Sequence, residues 1–392
     1  MIDNGYGFAT RAIQAGETTD PATRALNTPI YMTSTFAFES AADKEAAVDA
    51  ALEWEPDTFF YSRTGNPTTA ALEHKLASLE GAEDAAVGAA GMAACATALL
   101  SVLDAGDHCV ASEDVFIITR FLLDDLLRKK GVEVTRVDVR DPDAVRAAIR
   151  PNTKALFIES LSNPHMHVAD IPALAEVAKG AGLTFIVDNT FLSPHVLRPL
   201  EHGADMVVHS ATKYLGGHGD ALGGVVAGAK PLIDAVRYQL DTLGAAISPF
   251  NSWLLLRGVR TLSLRMNAHS ANALAIAQFL ESRDEVESVF YPGLPDHPGH
   301  ETAKSMGLNG FGGMMSIRLH GGEEAMETFA SALKLSAIAV SLGDVRTLVY
   351  PMPKRNNLIR LSIGCEDTAD LLEDYEQGLT AVAERLLAKE LA

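Results

Sequence analysis

Two apolar segments near the middle of the chain end in residues of opposite charge. The segments are FIVD at 185–188 and MVVHSATK at 206–213. A lone strand-end Asp188 or Lys213 would more often be an ordinary surface charge, but the pair on two neighbouring segments is a stronger signal. A lysine for a Schiff base and a carboxylate for a ring nitrogen are the two groups that pyridoxal phosphate (PLP) requires. The hydroxyls of Ser210 and Thr212 suit an anionic phosphate beside the lysine.

The segments before this pair alternate between helical and strand patterns. Helices are predicted over 68–79, 92–103, 119–130, 142–149 and 170–181, and strands over 84–89, 108–111, 132–138 and 154–159. This alternation predicts an α/β protein with a mostly parallel central sheet that is covered on both faces. Ligands bind such sheets at the carboxyl ends of the strands. Gly91, Glu159, Asp188 and Lys213 all follow predicted strands in this way.

The flanking regions have different patterns and predict three parts. Residues 1–62 contain many turn signals and predict an N-terminal arm with one helix over 40–54. Residues 63–258 form the predicted PLP-binding domain. Residues 259–392 predict a smaller α+β C-terminal domain. A long helical region that ends near residue 280 crosses the start of this domain. Its predicted elements are strands over 309–319 and 358–363 and helices over 323–332 and 368–387.

Composition narrows the class of protein. The chain has 392 residues, 47% of them hydrophobic, and a net charge of −19. This charge argues against partners that are nucleic acids or anionic membranes. No apolar run is long enough for a membrane span, and the N-terminus lacks a signal-peptide pattern. The three cysteines and twelve histidines show no metal-ligand spacing. We therefore expect no metal site and a cytoplasmic location.

Six sequence motifs, distributed over most of the chain, add to the evidence from Asp188 and Lys213. They are FYSRTGNPT at 60–68, AAGMAA at 89–94, DNTFLSPHVLRPLEHGAD at 188–205, HSATKYLGGHGD at 209–220, AVSLGD at 339–344 and RLSIG at 360–364. With these motifs the chain resembles the Cys/Met-metabolism family of PLP enzymes, which includes methionine γ-lyase, cystathionine γ-lyase and O-acetylhomoserine sulfhydrylase. The resemblance implies PLP-dependent transferase fold type I and a homotetramer of two tight dimers.

The resemblance also implies a role for each candidate site residue. Lys213 and Tyr61 are the expected catalytic residues, and Asn163, Ser341 and Arg360 are expected to bind the substrate, with Asp344 in the same pocket loop. The expected cofactor-binding residues are Tyr61, Arg63, Gly91, Met92, Phe116, Asp188, Ser210, Thr212 and Lys213. Tyr61 and Arg63 are expected to reach the cofactor of a neighbouring subunit.

Physical chemistry supports several of these assignments. Gly91 and Met92 open a predicted helix, whose N–H groups and dipole attract phosphate. An arginine such as Arg360 inside an apolar strand requires an anionic partner if it is buried. From the residues alone, however, Gly91 could be a plain strand-to-helix turn, Arg63 a solvated surface arginine and Asn163 a turn residue before proline.

Two segments depart from the family pattern, and both belong to the substrate pocket. Phe116 stands where members usually have a tyrosine, so it can stack on the cofactor but cannot donate a proton to a leaving group. Ile118 stands where methionine γ-lyases carry a cysteine. The loop over 345–358 is shorter than usual and brings Lys354 and Arg355 close in sequence to Arg360.

The leading functional hypothesis is α,γ-elimination on a methionine-like or other γ-substituted amino acid, which releases a 2-oxo acid and ammonia. Val340 favours it over cystathionine chemistry, because members that act on cystathionine tend to carry glutamate there. The first alternative is γ-replacement on an O-acylhomoserine, whose leaving group needs no strong acid. A γ-lyase for an O-linked substrate such as canavanine is a variant of the leading hypothesis. A PLP-binding protein without catalytic activity is the alternative from another class.

Overall fold

Two β-sheets and the helices around them make up the computed structural model of the protein, which describes residues 5–390. The strands are β1 (Asp84–Gly88), β2 (His108–Ser112), β3 (Glu133–Val137), β4 (Thr153–Glu159), β5 (Thr184–Asp188), β6 (Met206–Ser210), β7 (Gly224–Gly228), β8 (Val286–Phe290), β9 (Met314–Leu319), β10 (Ala337–Ile338), β11 (Leu348–Met352) and β12 (Leu358–Ser362). The α-helices are α1 (Phe8–Gln14), α2 (Ala41–Leu52), α3 (Pro67–Glu80), α4 (Gly91–Leu100), α5 (Ile117–Phe121), α6 (Pro142–Ala148), α7 (Ile171–Gly180), α8 (Ser193–Val196), α9 (Lys230–Leu243), α10 (Pro249–Val259), α11 (Leu262–Glu281), α12 (His300–Ser305), α13 (Gly322–Ala332) and α14 (Thr368–Glu390).

The larger sheet has seven strands in the order β1-β7-β6-β5-β4-β2-β3. The five strands from β6 to β3 are mutually parallel, and β7 runs antiparallel to both of its neighbours. Parallel strands are buried on both faces and therefore consist of nearly continuous apolar residues. Strands β5 and β6 have this composition, with Phe185, Val187, Met206 and Val208 all buried. The prediction of a mostly parallel, doubly covered sheet is confirmed.

The smaller sheet has five strands in the order β10-β11-β12-β9-β8. Its pairs are antiparallel except for β10 with β11. Residues of α11, α13 and α14, including Phe329 and Tyr375, form a separate core with this sheet. The predicted α+β character of the C-terminal region is confirmed. The boundaries at 62 and 258 stay predictions, and residues 1–4 and 391–392 lie outside the described range.

The long helical region predicted up to residue 280 consists of three helices, α9, α10 and α11. Gly244 ends α9 with a left-handed backbone (φ 68), and the Ser248 side chain caps the start of α10 by accepting a hydrogen bond from the Asn251 N–H at 3.2 Å. Such residues are frequent at helix termini, so they separate segments that share one apolar pattern. None of the helices described for residues 5–390 combines the length and hydropathy of a membrane span.

Other boundaries also differ from the prediction. The helix expected over 119–130 begins at Ile117 and continues as a π-helical turn over Leu122–Leu127. The strand expected over 309–319 begins only at Met314, since Gly310 and Gly312 hold positive φ angles of 88 and 75. Helix α1 and strands β8, β10 and β11 lacked a sequence signal strong enough to predict them. Strand β11 shows that the shortened 345–358 segment is one arm of a hairpin with β12.

Candidate active site

The carboxyl edge of the large sheet brings the two predicted charged residues together. Strands β5 and β6 are parallel neighbours, with Asp188 in register with Val208. Lys213 follows β6 by one turn, in which its N–H donates to the Ser210 carbonyl at 3.1 Å. Glu159, at the end of β4, pairs in register with Asp188. The strand ends therefore converge as the sequence predicted.

Asp188 is held by a network that orients its carboxylate. Its Oδ1 accepts hydrogen bonds from the N–H and the hydroxyl of Thr190, at 3.0 and 2.6 Å. Its Oδ2 accepts a weak contact from the Cys95 thiol at 3.7 Å. Burial raises the pKa of Asp188, and the Thr190 hydrogen bonds oppose that shift. Burial and the charge of Asp188 raise the pKa of Glu159 well above its usual range. A cationic ring nitrogen beside Asp188 would offset this burial of negative charge.

The start of α4 lies directly against the end of β6. A Cβ atom on Gly91 would lie 2.6 Å from the Cβ of Ser210, so only glycine permits this approach. The residue before the helix is Ala90, which provides no side-chain cap for the first N–H groups. Met92 is the second residue of the helix. The hydroxyl of Thr212, in the turn after β6, accepts a hydrogen bond from the Gly223 N–H at 3.1 Å. Uncapped helix N–H groups beside hydroxyls form a suitable phosphate site.

Ser341 connects the lysine to the predicted substrate arginine. Its hydroxyl accepts a hydrogen bond from Lys213 Nζ at 3.0 Å, and its carbonyl accepts one from Arg360 at 3.0 Å. Burial lowers the pKa of Lys213, and the positive charge of Arg360 lowers it further. The loop before β11 therefore fixes the distance between the two cationic groups.

Arg360 is a buried cation that neutral groups hold in place. Its side chain is 4% exposed and donates to Asn163 Oδ1 at 3.1 Å, to the Val340 carbonyl at 2.9 Å and to the Ser341 carbonyl. Burial lowers its pKa to about 10. No carboxylate of residues 5–390 forms an ion pair with it. A buried guanidinium that lacks a counter-charge is suited to an anionic ligand.

Tyr61 and Arg63 take part in none of the hydrogen bonds described above for Lys213, Ser341 and Arg360. Arg63 forms an ion pair with Asp241 at 2.6 Å, and its guanidinium lies 5.2 Å from the centre of the Tyr61 ring. Arg63 also lines a cleft of about 510 Å³ together with Trp54 and Glu73. Within the described part of the chain, neither residue hydrogen-bonds to Lys213. In one chain the Arg63 side chain therefore contacts Asp241 and the Tyr61 ring.

The two departures from the family pattern have clear positions. The Phe116 N–H donates to Glu159 at 2.6 Å, while its ring is 39% exposed at the start of α5. It offers a hydrocarbon surface and no acidic proton. Lys354 and Arg355 lie in the exposed turn between β11 and β12. The hairpin pairs Tyr350 with Arg360, so closeness in sequence does not bring these two cations to the arginine.

Sequence reasoning missed several residues around the site. Thr190 and Cys95, the partners of Asp188, had no distinctive pattern. Asp114, His165 and His167 form a further cluster beside the loop that carries Phe116. The available signal was the His-x-His pair directly after Asn163-Pro164. These residues form a turn in which Met166 has a left-handed backbone (φ 58), and the turn brings both imidazoles to Asp114. Cys95 and Cys109 are buried, whereas Cys365 is half-buried.

The comparisons with known proteins agree with this geometry. Residues 9–380 match the family described as Cys/Met metabolism PLP-dependent enzyme. The chain belongs to this family. The L-methionine gamma-lyase of Treponema denticola is 42% identical over 95% of this chain and 96% of its own length. The cystathionine gamma-synthase of Mycobacterium bovis is also 42% identical, over 95% of this chain and 97% of its own.

A solved structure shows the same architecture. The crystal structure of metB from Corynebacterium glutamicum matches with a TM-score of 0.91 and 39% identity, over 97% of this chain and 99% of the other. The predicted fold, the PLP cofactor and the assignment as a PLP-dependent enzyme are therefore confirmed. The residues at the carboxyl edge fit PLP, with a lysine, a carboxylate and an uncapped helix start in one place. The relatives divide between a lyase and a synthase at equal identity.

Proposed function

We propose that the protein is a γ-lyase that removes the γ-substituent of a methionine-like or other γ-substituted L-amino acid and releases a 2-oxo acid and ammonia. The observation that carries this proposal is the link through Ser341 between Lys213 and the buried Arg360. An α-amino acid carries an amine and a carboxylate on one carbon. A cofactor held by Lys213 matches the amine, and Arg360, which has no ion-pair partner among residues 5–390, matches the carboxylate. The loop that carries Ser341 contacts both residues.

The cofactor roles follow from the same edge of the sheet. PLP, when bound, accepts the electron pair left on the substrate when a proton is removed. Lys213 would hold the cofactor, and Asp188 would hold the proton on the ring nitrogen. Gly91, Met92, Ser210 and Thr212 would bind the phosphate through N–H and hydroxyl groups, and Phe116 would stack on the ring.

The substrate roles are assigned to the Arg360 group. Arg360 would bind the α-carboxylate, and Asn163 and Ser341 would orient the guanidinium through the hydrogen bonds that they accept from it. Asp344, whose Oδ1 accepts from the Arg346 N–H at 3.0 Å, fixes the shape of the same loop. Loss of either acceptor would let the Arg360 guanidinium turn away from this orientation, while its positive charge would remain.

Lys213 is the candidate for moving protons at Cα and Cβ. Its lowered pKa, caused by burial and by Arg360, favours the neutral amine that a general base requires. Release from the cofactor would leave this amine beside the substrate. Elimination at Cγ requires proton removal at both carbons, and one lysine on one side of the substrate can serve both.

Val340 supports elimination from a substrate with an apolar or small γ-substituent. Its side chain is 73% exposed, directly before the loop residue Ser341, and offers no charge to bind a second amino-acid group. A cystathionine-like substrate ends in a further ammonium and carboxylate. An apolar residue at this point favours substrates without those charges.

The second candidate, γ-replacement on an O-acylhomoserine, is supported by Phe116. A carboxylate leaving group departs without a general acid, and the Phe116 side chain provides none. An O-linked substrate such as canavanine fits elimination for a similar reason.

The cytoplasmic location of the protein stays a prediction.

The test is a panel of γ-substituted amino acids with and without an added thiol. Elimination predicts ammonia and a 2-oxo acid in equal amounts when no thiol is present. Replacement predicts that ammonia release is slow and that a new thioether amino acid forms when a thiol is added. Formation of only the thioether product would overturn the γ-lyase proposal in favour of the second candidate.

We further propose that the active unit is a dimer within a homotetramer, in which Tyr61 and Arg63 complete the neighbouring subunit's site and Tyr61 is a catalytic residue. The exposure of both residues and the absence of a hydrogen bond from either to Lys213 within residues 5–390 support this. Mixing two inactive proteins, Lys213→Ala and the double variant Tyr61→Phe with Arg63→Ala, should restore about a quarter of wild-type activity in a 1:1 mixture of exchanging dimers. Absence of any restored activity, with exchange verified by mass, would contradict the shared site.

A further inference from the structure

Asp114, His165 and His167 form a compact group outside the Lys213 site. Asp114 Oδ2 lies 2.9 Å from His165 Nδ1 and 3.0 Å from His167 Nδ1. The two imidazole rings are stacked, with centres 5.5 Å apart and planes inclined by 24°. The Ser162 hydroxyl lies 3.4 Å from the same carboxylate oxygen. Two rings from one segment thus face a single oxygen from another.

A small cavity lies beside this group. Its volume is about 10 Å³, close to the smallest space that holds one water molecule. Asp114, Asp138, Glu159, Ser162 and His167 are among the residues that line it. A polar cavity of this size beside the carboxylate and one imidazole leaves room for one small ligand such as water.

The donor atoms have the spacing of metal ligands. All three lie within 4.8 Å of one another. Ligands that are each about 2.1 Å from an ion lie roughly 3.0–3.4 Å apart, depending on the coordination geometry. The two nitrogen–oxygen distances, 2.9 and 3.0 Å, lie at or just below the lower limit of this range, so an ion would require the imidazole rings to move slightly away from the carboxylate. Two imidazoles with one carboxylate are a donor set for Zn²⁺, Ni²⁺ or Co²⁺ rather than for Mg²⁺ or Ca²⁺.

We propose that Asp114, His165 and His167 form a binding site for one divalent transition-metal ion, with Zn²⁺ or Ni²⁺ as the best match. Water in the adjacent cavity would complete the coordination. This proposal departs from the expectation of no metal site, because Asp114 lies 51 positions from His165 and local spacing does not reveal such a ligand. It is independent of which amino acid the enzyme uses.

The position of the site couples it to the substrate pocket. Asp114 is two residues before Phe116, and His165 is two residues after Asn163, which contacts Arg360. A bound ion would join the segment after β2 to the segment after β4. We therefore expect the ion to raise the thermal unfolding midpoint of the enzyme, because it binds only the folded chain.

The test is titration of tag-free holoenzyme with Zn²⁺ and, separately, Ni²⁺, with metal content measured after equilibrium dialysis. We expect saturable binding of one ion per chain. His165→Gln and His167→Gln retain a hydrogen-bond donor to Asp114 but remove the imidazole ligand. Each should weaken binding by more than about tenfold, since loss of even an outer-shell partner costs about 10–100-fold. His320→Ala, which removes an exposed histidine elsewhere, is the matched control and should bind as wild type does.

The same variants separate a metal site from a simple hydrogen-bonded cluster. If the cluster is only a hydrogen-bonded contact, wild type and both Gln variants should bind metal equally weakly and share one unfolding midpoint with or without metal. That result would overturn the proposal. Equal loss of binding in the His320→Ala control would also overturn it, because the ions would then be on surface histidines. Circular dichroism and the cofactor absorbance check that each variant is folded.

Discussion

The inner and outer halves of the candidate site differ in how one chain builds them. The inner half, Asp188, Lys213 and Arg360, is fixed by strand ends and by hydrogen bonds within the chain. In the outer half, Phe116 and Tyr61 are each 39% exposed and the Arg63 side chain is 49% exposed. A single chain therefore determines the geometry of its cofactor edge and leaves its solvent side open.

The difference has a physical cause. Asp188 and Lys213 lie at strand ends of the large sheet and Arg360 lies within β12 of the smaller sheet, so their positions cannot shift without breaking core contacts. Tyr61 and Arg63 lie in the segment between α2 and α3, and Phe116 immediately precedes the short helix α5, where fewer contacts fix them. We therefore expect substitutions in the inner half to remove most of the activity and single substitutions at Phe116 or Arg63 to alter cofactor affinity or substrate preference.

The largest expected effect is that of Lys213→Ala. It should abolish turnover and the absorbance band of the lysine-bound cofactor, because no other lysine among residues 5–390 follows a strand beside the Ser210 and Thr212 hydroxyls. The measurement is the absorbance spectrum together with mass analysis after borohydride reduction. Lys154→Ala, an exposed lysine on β4, is the control and should keep both signals. A reducible cofactor adduct that persists in Lys213→Ala would show that another residue holds PLP.

Arg360→Ala should have the next largest effect. The substrate carboxylate would lose a charge-assisted partner worth about 3 kcal/mol, which corresponds to a loss of about 100-fold or more in kcat/KM. The loss should be mainly in KM, with the cofactor spectrum retained. Arg346→Ala changes an exposed arginine of the same region and should have little effect. An unchanged KM in Arg360→Ala would mean that the carboxylate binds elsewhere.

Gly91→Ala tests the contact between α4 and β6. The added Cβ would lie 2.6 Å from Ser210, and such overpacking costs about 1–3 kcal/mol. We expect PLP affinity to fall by about tenfold or more, as measured by cofactor retention on dialysis. Gly180→Ala is a suitable control, because an added Cβ there meets no atom within 4 Å. Equal retention in the two variants would exclude a tight phosphate site at Gly91.

Arg63→Ala tests the outer half directly. Loss of one charge-assisted phosphate contact is worth about 2 kcal/mol, so PLP affinity should fall by about 30-fold. The measurement is the PLP dissociation constant, with Arg24→Ala as an exposed control from the same arm. If Arg63→Ala binds PLP as wild type does, Arg63 only forms its ion pair with Asp241 and does not contact the cofactor.

The smallest expected effect concerns Phe116→Tyr, which adds an acid where a leaving group would depart. A general acid accelerates the departure of a poor leaving group by a factor of about 10²–10⁴. A newly placed tyrosine should recover only part of this factor, so we expect kcat/KM for methionine to rise by about tenfold. We expect wild type to prefer O-acetylhomoserine over methionine and the variant to narrow that preference. The measurement is kcat/KM for both substrates in both proteins. Equal use of the two substrates by wild type would indicate another proton donor, with Tyr61 the first to examine.

The agreement between sequence and structure depends on how local each signal is. The strands that precede Asp188 and Lys213 are short apolar runs, and their ends could be located because burial on both faces permits few polar residues. The prediction failed for α1, β8 and β10, which are short or have little apolar periodicity. The predicted single helical region before residue 280 failed because its apolar pattern continues across the turns that end α9 and start α10.

By itself the sequence determined the chemistry of the site and the class of fold. Asp188, Lys213 and Arg360 could be selected because residue type and strand position together limit what a buried charge can do. Only the tertiary structure decided which distant segments meet. Ser341 contacts Lys213 across 128 positions of the chain, and His165 reaches Asp114 across 51. Such contacts depend on the order in which strands pair and on how loops cross the sheet edge. Local patterns do not carry that information, because packing of the whole core selects it.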